Sequence, residues 1–260
     1  MSMIKKVLVI AEGPSDKKVI KRMFSSYGKD LEVVAFKADV YQLSSLYEKQ
    51  QCDYDEIDLQ QTLLNELPSL KPGEKKILED RYVDVFLIFD FDPHASLADV
   101  NKLKKLMAHF KDSSDMGKMF INYPMLESYQ HIDLNKLKEN EVDIDFFDKG
   151  FSVVDFQKKG SRVNYKVRAK TEVFSHCDLQ KSAWDGLISH HLFKIEQKVG
   201  SLRQCDYDQV RYLELLDLQG KSYHQAQNGL VVNTSMTIVP ELYPNDWCDM
   251  TAEIAKVLKK

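Results

Sequence analysis

The chain has 260 residues, 43% of them hydrophobic and 29% charged, which is enough to bury a substantial core and excludes a disordered or collagen-like protein. Its 36 Lys+Arg against 40 Asp+Glu leave a formal charge of -4, which excludes a uniformly basic nucleic-acid coat and leaves room for a local basic groove. The apolar runs at residues 7–11 and 85–89 are far too short to cross a bilayer, and no apolar leader with a small-residue cleavage site opens the chain. A cytoplasmic protein with no membrane contact is expected.

Residues 6–11 (KVLVIA) form a β-branched apolar run, the pattern of a strand buried on both faces. Glu12-Gly13-Pro14-Ser15-Asp16 ends it. Gly13 and Pro14 break the strand, and Ser15 is placed to cap a helix that gathers Val19, Ile20, Met23 and Phe24 on one face. Residues 31–36 (LEVVAF) read as a second strand, and 57–67 as a helix with Leu59, Leu63, Leu64 and Leu67 on one side. Between them, residues 38–56 carry no clear period. Residues 83–89 (VDVFLIF) make the strongest strand, closed by Asp90-Phe91-Asp92-Pro93, and an amphipathic helix follows over 97–110. A fourth short strand, 120–122, is stopped by Pro124.

The order βαβαβαβ predicts an α/β fold with a mostly parallel sheet flanked by helices. In the second half, 132–148 is polar and acidic, 183–199 and 210–218 look helical, and 230–239 reads as a late strand. The division expected is a catalytic unit over 1–130, with a helical insertion around 38–82, and a mainly helical region over 131–260 that completes or covers the site.

In a parallel sheet the C-terminal strand ends share one edge, where ligands bind. Glu12 follows the first predicted strand, Asp90 and Asp92 the third, and Glu127 comes shortly after the fourth; Asp16 lies one helical turn beyond Glu12. Carboxylates gathered so closely repel and raise one another's pKa, so the set calls for a cation. Oxygen ligands without Cys or His favour Mg²⁺ or Mn²⁺ over zinc. If the strand continues through Asp90-Phe91-Asp92, Phe91 faces away and both carboxylates face one ion. Read singly, acids at strand ends are also loop solubilisers and helix caps, Asp16 above all.

These residues carry a resemblance. Strand-Glu12-Gly13 followed by strand-Asp90-x-Asp92 resembles the Toprim domain, the metal-binding fold of topoisomerases, bacterial primases and the overcoming-lysogenization-defect nucleases. Glu12-Gly13-Pro14-Ser15-Asp16 is similar to the Glu-Gly-x-x-Asp form of the last group. Asn122-Tyr123-Pro124-Met125-Leu126-Glu127 is similar to the Asn-Pro-x-x-Glu stretch of small stand-alone Toprim proteins in phage-defence operons. The match covers roughly residues 5–130; the stretch from Phe36 to Val83 is longer than a compact Toprim connection. The resemblance implies an Mg²⁺-dependent endonuclease acting in antiviral defence by abortive infection. It further implies a catalytic set of Glu12, Asp90, Asp92 and Glu127, metal ligands from these and Asp16, and an ABC-type ATPase as partner, since this chain has no G-x-x-x-x-G-K-[ST] loop of its own. Pairing into a homodimer stays open.

Residues 149–170 hold Lys149, Lys158, Lys159, Arg162, Lys166, Arg168 and Lys170 against Asp155 alone, with Phe151, Phe156 and Tyr165 interleaved. Basic side chains neutralise phosphates and aromatic rings stack on bases, so Lys158, Lys159, Arg162, Lys166 and Arg168 are the expected contacts to DNA or RNA. A solvated charged face explains such a run equally well. The catalytic lysine that the resemblance implies is placed nearest to Lys158 and Lys159. The polar stretch 222–240 is a candidate lining of the site, and a polar-faced strand accounts for it as well.

Cys52, Cys177, Cys205 and Cys248 form no C-x-x-C pair and read as free thiols. His190 and His191, adjacent on a helix, would point about 100° apart and make no metal pair. Two other readings stay open. A haloacid-dehalogenase-like phosphatase also uses an Asp-x-Asp pair, but after its first strand and with a Thr where His94 stands. A non-enzymatic regulatory subunit with a vestigial site is opposed by the intact Glu12, Asp90 and Asp92.

Overall fold

The computed structural model describes residues 6–68, 70–92, 99–139, 141–157, 165, 179–225 and 227–259. The chain opens with β1 (Val7–Ala11), α1 (Pro14–Ser26) and β2 (Glu32–Ala35), then runs through α2 (Val40–Lys49), α3 (Leu59–Glu66) and α4 (Pro72–Leu78). It returns to the sheet as β3 (Asp84–Asp90), α5 (Val100–His109), β4 (Lys111–Asp112) and β5 (Gly117–Asn122). The strand order is β2-β1-β3-β5-β4, parallel throughout except for β4, which pairs antiparallel with β5. This is the mixed α/β architecture that the strand pattern predicts.

Each central strand is apolar because helices cover both faces. All of β1 and β5 is buried. The weakly patterned stretch 38–56 contains α2, which Asp39 caps by accepting the Gln42 N–H at 2.9 Å. β4 escapes sequence reading because it is only two residues long. Its turn into β5 needs Gly117, whose φ is +111° and whose missing Cβ would stand 3.0 Å from Leu87 Cδ1.

Beyond the sheet lie short elements and two long helices, Lys181–Val199 and Gln209–His224. Thirteen of the 19 residues of Lys181–Val199 are buried, so this is a core helix rather than an amphipathic cover. Tyr27, the residue that caps the end of α1, donates to Asp185 of the first long helix at 2.8 Å, and Gln209 of the second donates to Met119 O of β5 at 2.8 Å. Buried residues from both halves form one continuous cluster.

The late strand expected over 230–239 is much shorter. β7 (Asn228–Leu230) pairs antiparallel with β6 (Gly150–Ser152), Val232 makes a single bridge to Tyr123, and the chain then turns helical over Thr234–Thr237 and Ile238–Leu242. The reason is side-chain competition for the backbone. Thr234 donates its hydroxyl to Ile121 O at 2.8 Å, and Thr237 donates back to Thr234 O at 2.7 Å, which closes a turn where a strand would extend. Among the described residues no helix is long and apolar enough to cross a membrane.

Candidate metal centre

β1 lies between β2 and β3, so the residues that follow these three parallel strands emerge side by side at the C-terminal edge. Glu12 leaves β1 with its N–H donated to Ile88 O at 3.0 Å, while its own carbonyl accepts the Lys37 N–H at 2.7 Å. Its carboxylate reaches across to β3, where Oε2 accepts the Asp90 N–H at 3.0 Å. The first two corners and the end of β3 are thereby tied together through backbone groups.

α1 starts at Pro14 with Gly13 as its cap residue, and the side chain that serves this terminus is Asp16, whose Oδ2 accepts the Gly13 N–H at 2.7 Å. Ser15, expected as the cap, sits inside the first turn. Proline fills the first helical position, where no N–H is needed, and the cap moves back to Gly13. Asp16 thus holds the helix terminus and still faces the cavity.

Asp90 and Asp92 meet by a route other than strand alternation. The strand ends at Asp90, and Asp92 takes a left-handed backbone conformation, φ +42°, one that aspartate tolerates better than most residues. Phe91 between them is buried against Tyr123, ring centroids 5.3 Å apart, and its carbonyl accepts the Tyr41 hydroxyl at 2.9 Å. An apolar anchor and a reversed backbone, rather than pleat, put the second carboxylate on the cavity that the first one lines.

Glu12, Asp16, Asp90 and Asp92 line one cavity of about 380 Å³, with Ser15, Lys37 and Asp39 among its other walls. All four are buried, from 3% exposure for Asp90 and Asp92 to 9% for Glu12. Glu127 does not line this cavity. It lies in the turn Leu126–His131, one residue past the Leu126 N–H that donates to Asp90 Oδ1 at 2.8 Å, so it stands behind Asp90. The charges converge on that residue. Burial first, then Glu12, Asp16, Glu127 and Asp92, push the Asp90 carboxyl well above the usual carboxylate range. Among the described residues, no three His, Cys, Asp or Glu side chains already form a ligand set around one point.

Several residues behind the site support it. Asn122 ends β5 opposite Asp90, and its Oδ1 accepts the Ser235 N–H at 3.2 Å. Asn233 donates from Nδ2 to Leu126 O at 2.8 Å, so it fixes the carbonyl of the residue whose N–H bonds Asp90 and which precedes Glu127. The polar stretch 222–240 therefore serves the site from behind, and none of its described residues is on the cavity lining. Lys37, which does line the cavity, stands on a left-handed corner, φ +64°.

The basic residues Lys158, Lys159, Arg162, Lys166 and Arg168 lie outside the described residues. Lys149, within them, donates its ammonium to His131 O at 2.5 Å. The interleaved aromatics are not available for stacking on bases. Phe151, Phe156 and Tyr165 are all buried and form a chain of rings, edge-on to one another and tilted where it ends on His131, with centroids 5.2–5.6 Å apart. Their spacing reflects core packing. Tyr165 is nevertheless close enough to the site that burial first, then Glu127 and Asp90, raise its hydroxyl pKa.

The two adjacent histidines serve separate neighbours. His190 is fixed between Gly186 O and the Asp143 N–H, and His191 Nδ1 accepts the Asn233 N–H at 3.0 Å. Cys52 and Cys248 are exposed free thiols; Cys177 and the side chain of Cys205 lie outside the described residues. No protein-family model matches the chain, and no curated protein and no solved structure is significantly similar to it.

Proposed function

We propose that this protein is a metal-dependent nuclease that holds Mg²⁺ or Mn²⁺ at Glu12, Asp16, Asp90 and Asp92 and cleaves nucleic-acid phosphodiesters. The observation that supports this most is the convergence of these four carboxylates, from two neighbouring parallel strands and the helix between β1 and β2, on one cavity at the C-terminal sheet edge. Their chemistry fits the group: the set is all oxygen, as hard cations require, and an ion would relieve the repulsion centred on Asp90. The corner after β1 is tied to β3 and to the residue after β2 by the Glu12 and Lys37 backbone bonds and by the Asp90 N–H on Glu12 Oε2.

A bound divalent ion supplies charge neutralisation at the phosphate and activation of water. The remaining work falls to this chain. Glu12 is placed to take a proton from the attacking water or to orient it, with its position fixed by the Asp90 N–H. Asp90 and Asp92 provide the ligating oxygens, and Glu127 adds negative charge behind Asp90. DNA and RNA are both admissible substrates. An ABC-type ATPase partner and a role in antiphage defence belong to the same reading and rest on the resemblance.

The test is Mg²⁺-dependent cleavage of plasmid, single-stranded DNA and tRNA. Glu12→Gln should abolish turnover and keep most of the nucleic-acid affinity, whereas Asp90→Asn and Asp92→Asn should lose Mn²⁺ binding and turnover together. Wild-type cleavage by Glu12→Gln would sink the mechanism.

A further inference from the structure

The solvent face of α1 carries charge of one sign. Val19, Ile20, Met23 and Phe24 bury the inner face, while Lys18, Lys21 and Arg22 are exposed and Lys17 is half-buried. The helix has one acid, Asp16, which is buried with its Oδ2 on the Gly13 N–H. Local helix energetics oppose this arrangement. Cations in the first turns meet the positive end of the helix dipole, and Lys17 with Lys21 and Lys18 with Arg22 are like-charge pairs four residues apart. Burial pulls the Lys17 pKa down; Glu74 opposes it, and Lys21 lowers it further.

The same charge continues onto α4 around the rim of the carboxylate cavity. α1 begins at Pro14 and Ser15, both on the cavity wall. Glu74 of α4 lies 4.0 Å from Lys17 and 3.3 Å from Lys37, another residue of that wall, so the first turns of both helices meet at the mouth. Lys71 and Lys75, one turn apart on α4 and its cap, are exposed, as is Lys76. The acids beside these lysines are Glu74 and, next to Lys17, Glu32 of β2. Positive charge is therefore in excess along this rim, in a chain whose formal charge is -4. Helix stability does not account for such a cluster, whereas a polyanion lying across it would relieve the repulsion.

We infer that the outer faces of α1 and α4 form the track on which the nucleic-acid backbone approaches the carboxylate site, with Lys18, Lys21, Lys71 and Lys75 as phosphate contacts. Lys18 and Lys21 stand about 4.5 Å apart along the α1 axis, which sets successive contacts leading away from the mouth. The inference rests on the nuclease reading above and supplies the attraction that an anionic site withholds from a phosphodiester.

Binding is read by fluorescence anisotropy with labelled single-stranded DNA and RNA oligonucleotides over a range of KCl at one fixed Ca²⁺ concentration. Lys18→Gln combined with Lys21→Gln should lower the log–log salt slope by about 1.4, two single-strand phosphate contacts, and weaken binding about 25-fold at about 0.1 M salt. Lys71→Gln with Lys75→Gln should act in the same direction. A control pair, Lys256→Gln with Lys259→Gln, makes the same change in net charge at the exposed end of the last helix, away from the cavity wall, and should leave the slope as in wild type. The α1 pair removes like-charge neighbours from an exposed face, so its thermal midpoint should not fall, which separates lost contacts from lost fold. In Mg²⁺ the α1 pair should raise KM about tenfold or more and keep kcat within about twofold, since the variants touch the approach and not the reacting atoms. An unchanged slope in the α1 pair, or an equal fall in the control pair, would overturn the inference while the nuclease reading stands. A lower slope with an unchanged KM would also overturn it, by assigning the face to another anionic partner. Failure of wild type to bind or cleave either nucleic acid would instead overturn the nuclease reading, and this inference with it.

Discussion

Asp90→Asn should make the metal-free protein more stable, against the usual expectation for a buried side chain. Asp90 is 3% exposed and acted on by four other carboxylates, and its Oδ1 accepts the Leu126 N–H at 2.8 Å. Asparagine keeps an acceptor for that bond and removes the charge. Two like charges about 6 Å apart repel by about 3 kcal/mol at an effective dielectric of about 20. The wild type escapes part of this by taking up a proton, so the recoverable stability is about 1–2 kcal/mol, the range seen when strained functional sites are relaxed. For a chain of this size that corresponds to a rise of about 2–6 °C in the midpoint of thermal unfolding in EDTA at neutral pH. The sign with pH follows from linkage. A carboxyl whose folded-state pKa is raised contributes full stability below its unfolded value and loses it as pH rises through the folded value, so the advantage of the variant vanishes at about pH 4 and grows above it. Saturating Mn²⁺ should reverse the ranking, because about 100 times the Kd of ligand stabilises only the binding form, by about 2.7 kcal/mol. Equal or lower stability of Asp90→Asn in EDTA at neutral pH would refute the electrostatic account of the site.

Asn233→Ala removes the amide that holds Leu126 O and should lower Mn²⁺ affinity about tenfold by calorimetry, the usual effect of losing a support behind a ligand; unchanged affinity would detach Asn233 from the site. Gly229→Ala would place a methyl 2.4 Å from the Phe151 ring and should cost about 1–3 kcal/mol in a denaturant titration. Lys118→Met strands Glu241, whose carboxyl burial already pushes up to about 7, and should cost about 3–5 kcal/mol, while the double variant with Glu241→Leu recovers most of the loss. No recovery in the double variant would show that the Lys118 bond to Tyr207 O, and not the ion pair, carries the effect.

The central strands were legible because burial on both faces forces an unbroken apolar run, and a run of that kind admits few other structures. Glu12 and Asp90 were legible for the same reason, since each is the first strong polar residue after such a run, and Asp92 follows Asp90 by two residues. What stayed hidden depends on contacts distant in sequence. The turn at Asp92 is set by Phe91 packing on Tyr123, and the helical ending after Val232 by Thr234 bonding to β5. The aromatics at 151, 156 and 165 look the same in sequence whether they face bases or each other, and only burial separates the two. Lys37 gave no signal, because a lone lysine after a strand is the commonest kind of surface residue.

The outer edges of the sheet bear on how the protein behaves at high concentration. At one side the terminal strand is β4, two exposed residues of opposite charge; at the other it is β2, four residues long, with α4 packed against it. Neither offers the long, flat, apolar ribbon on which a neighbouring chain could add a strand, so growth of ordered aggregates by edge-to-edge pairing is suppressed in the native state. Association of copies through this sheet would have to use its side-chain surfaces, not its edges.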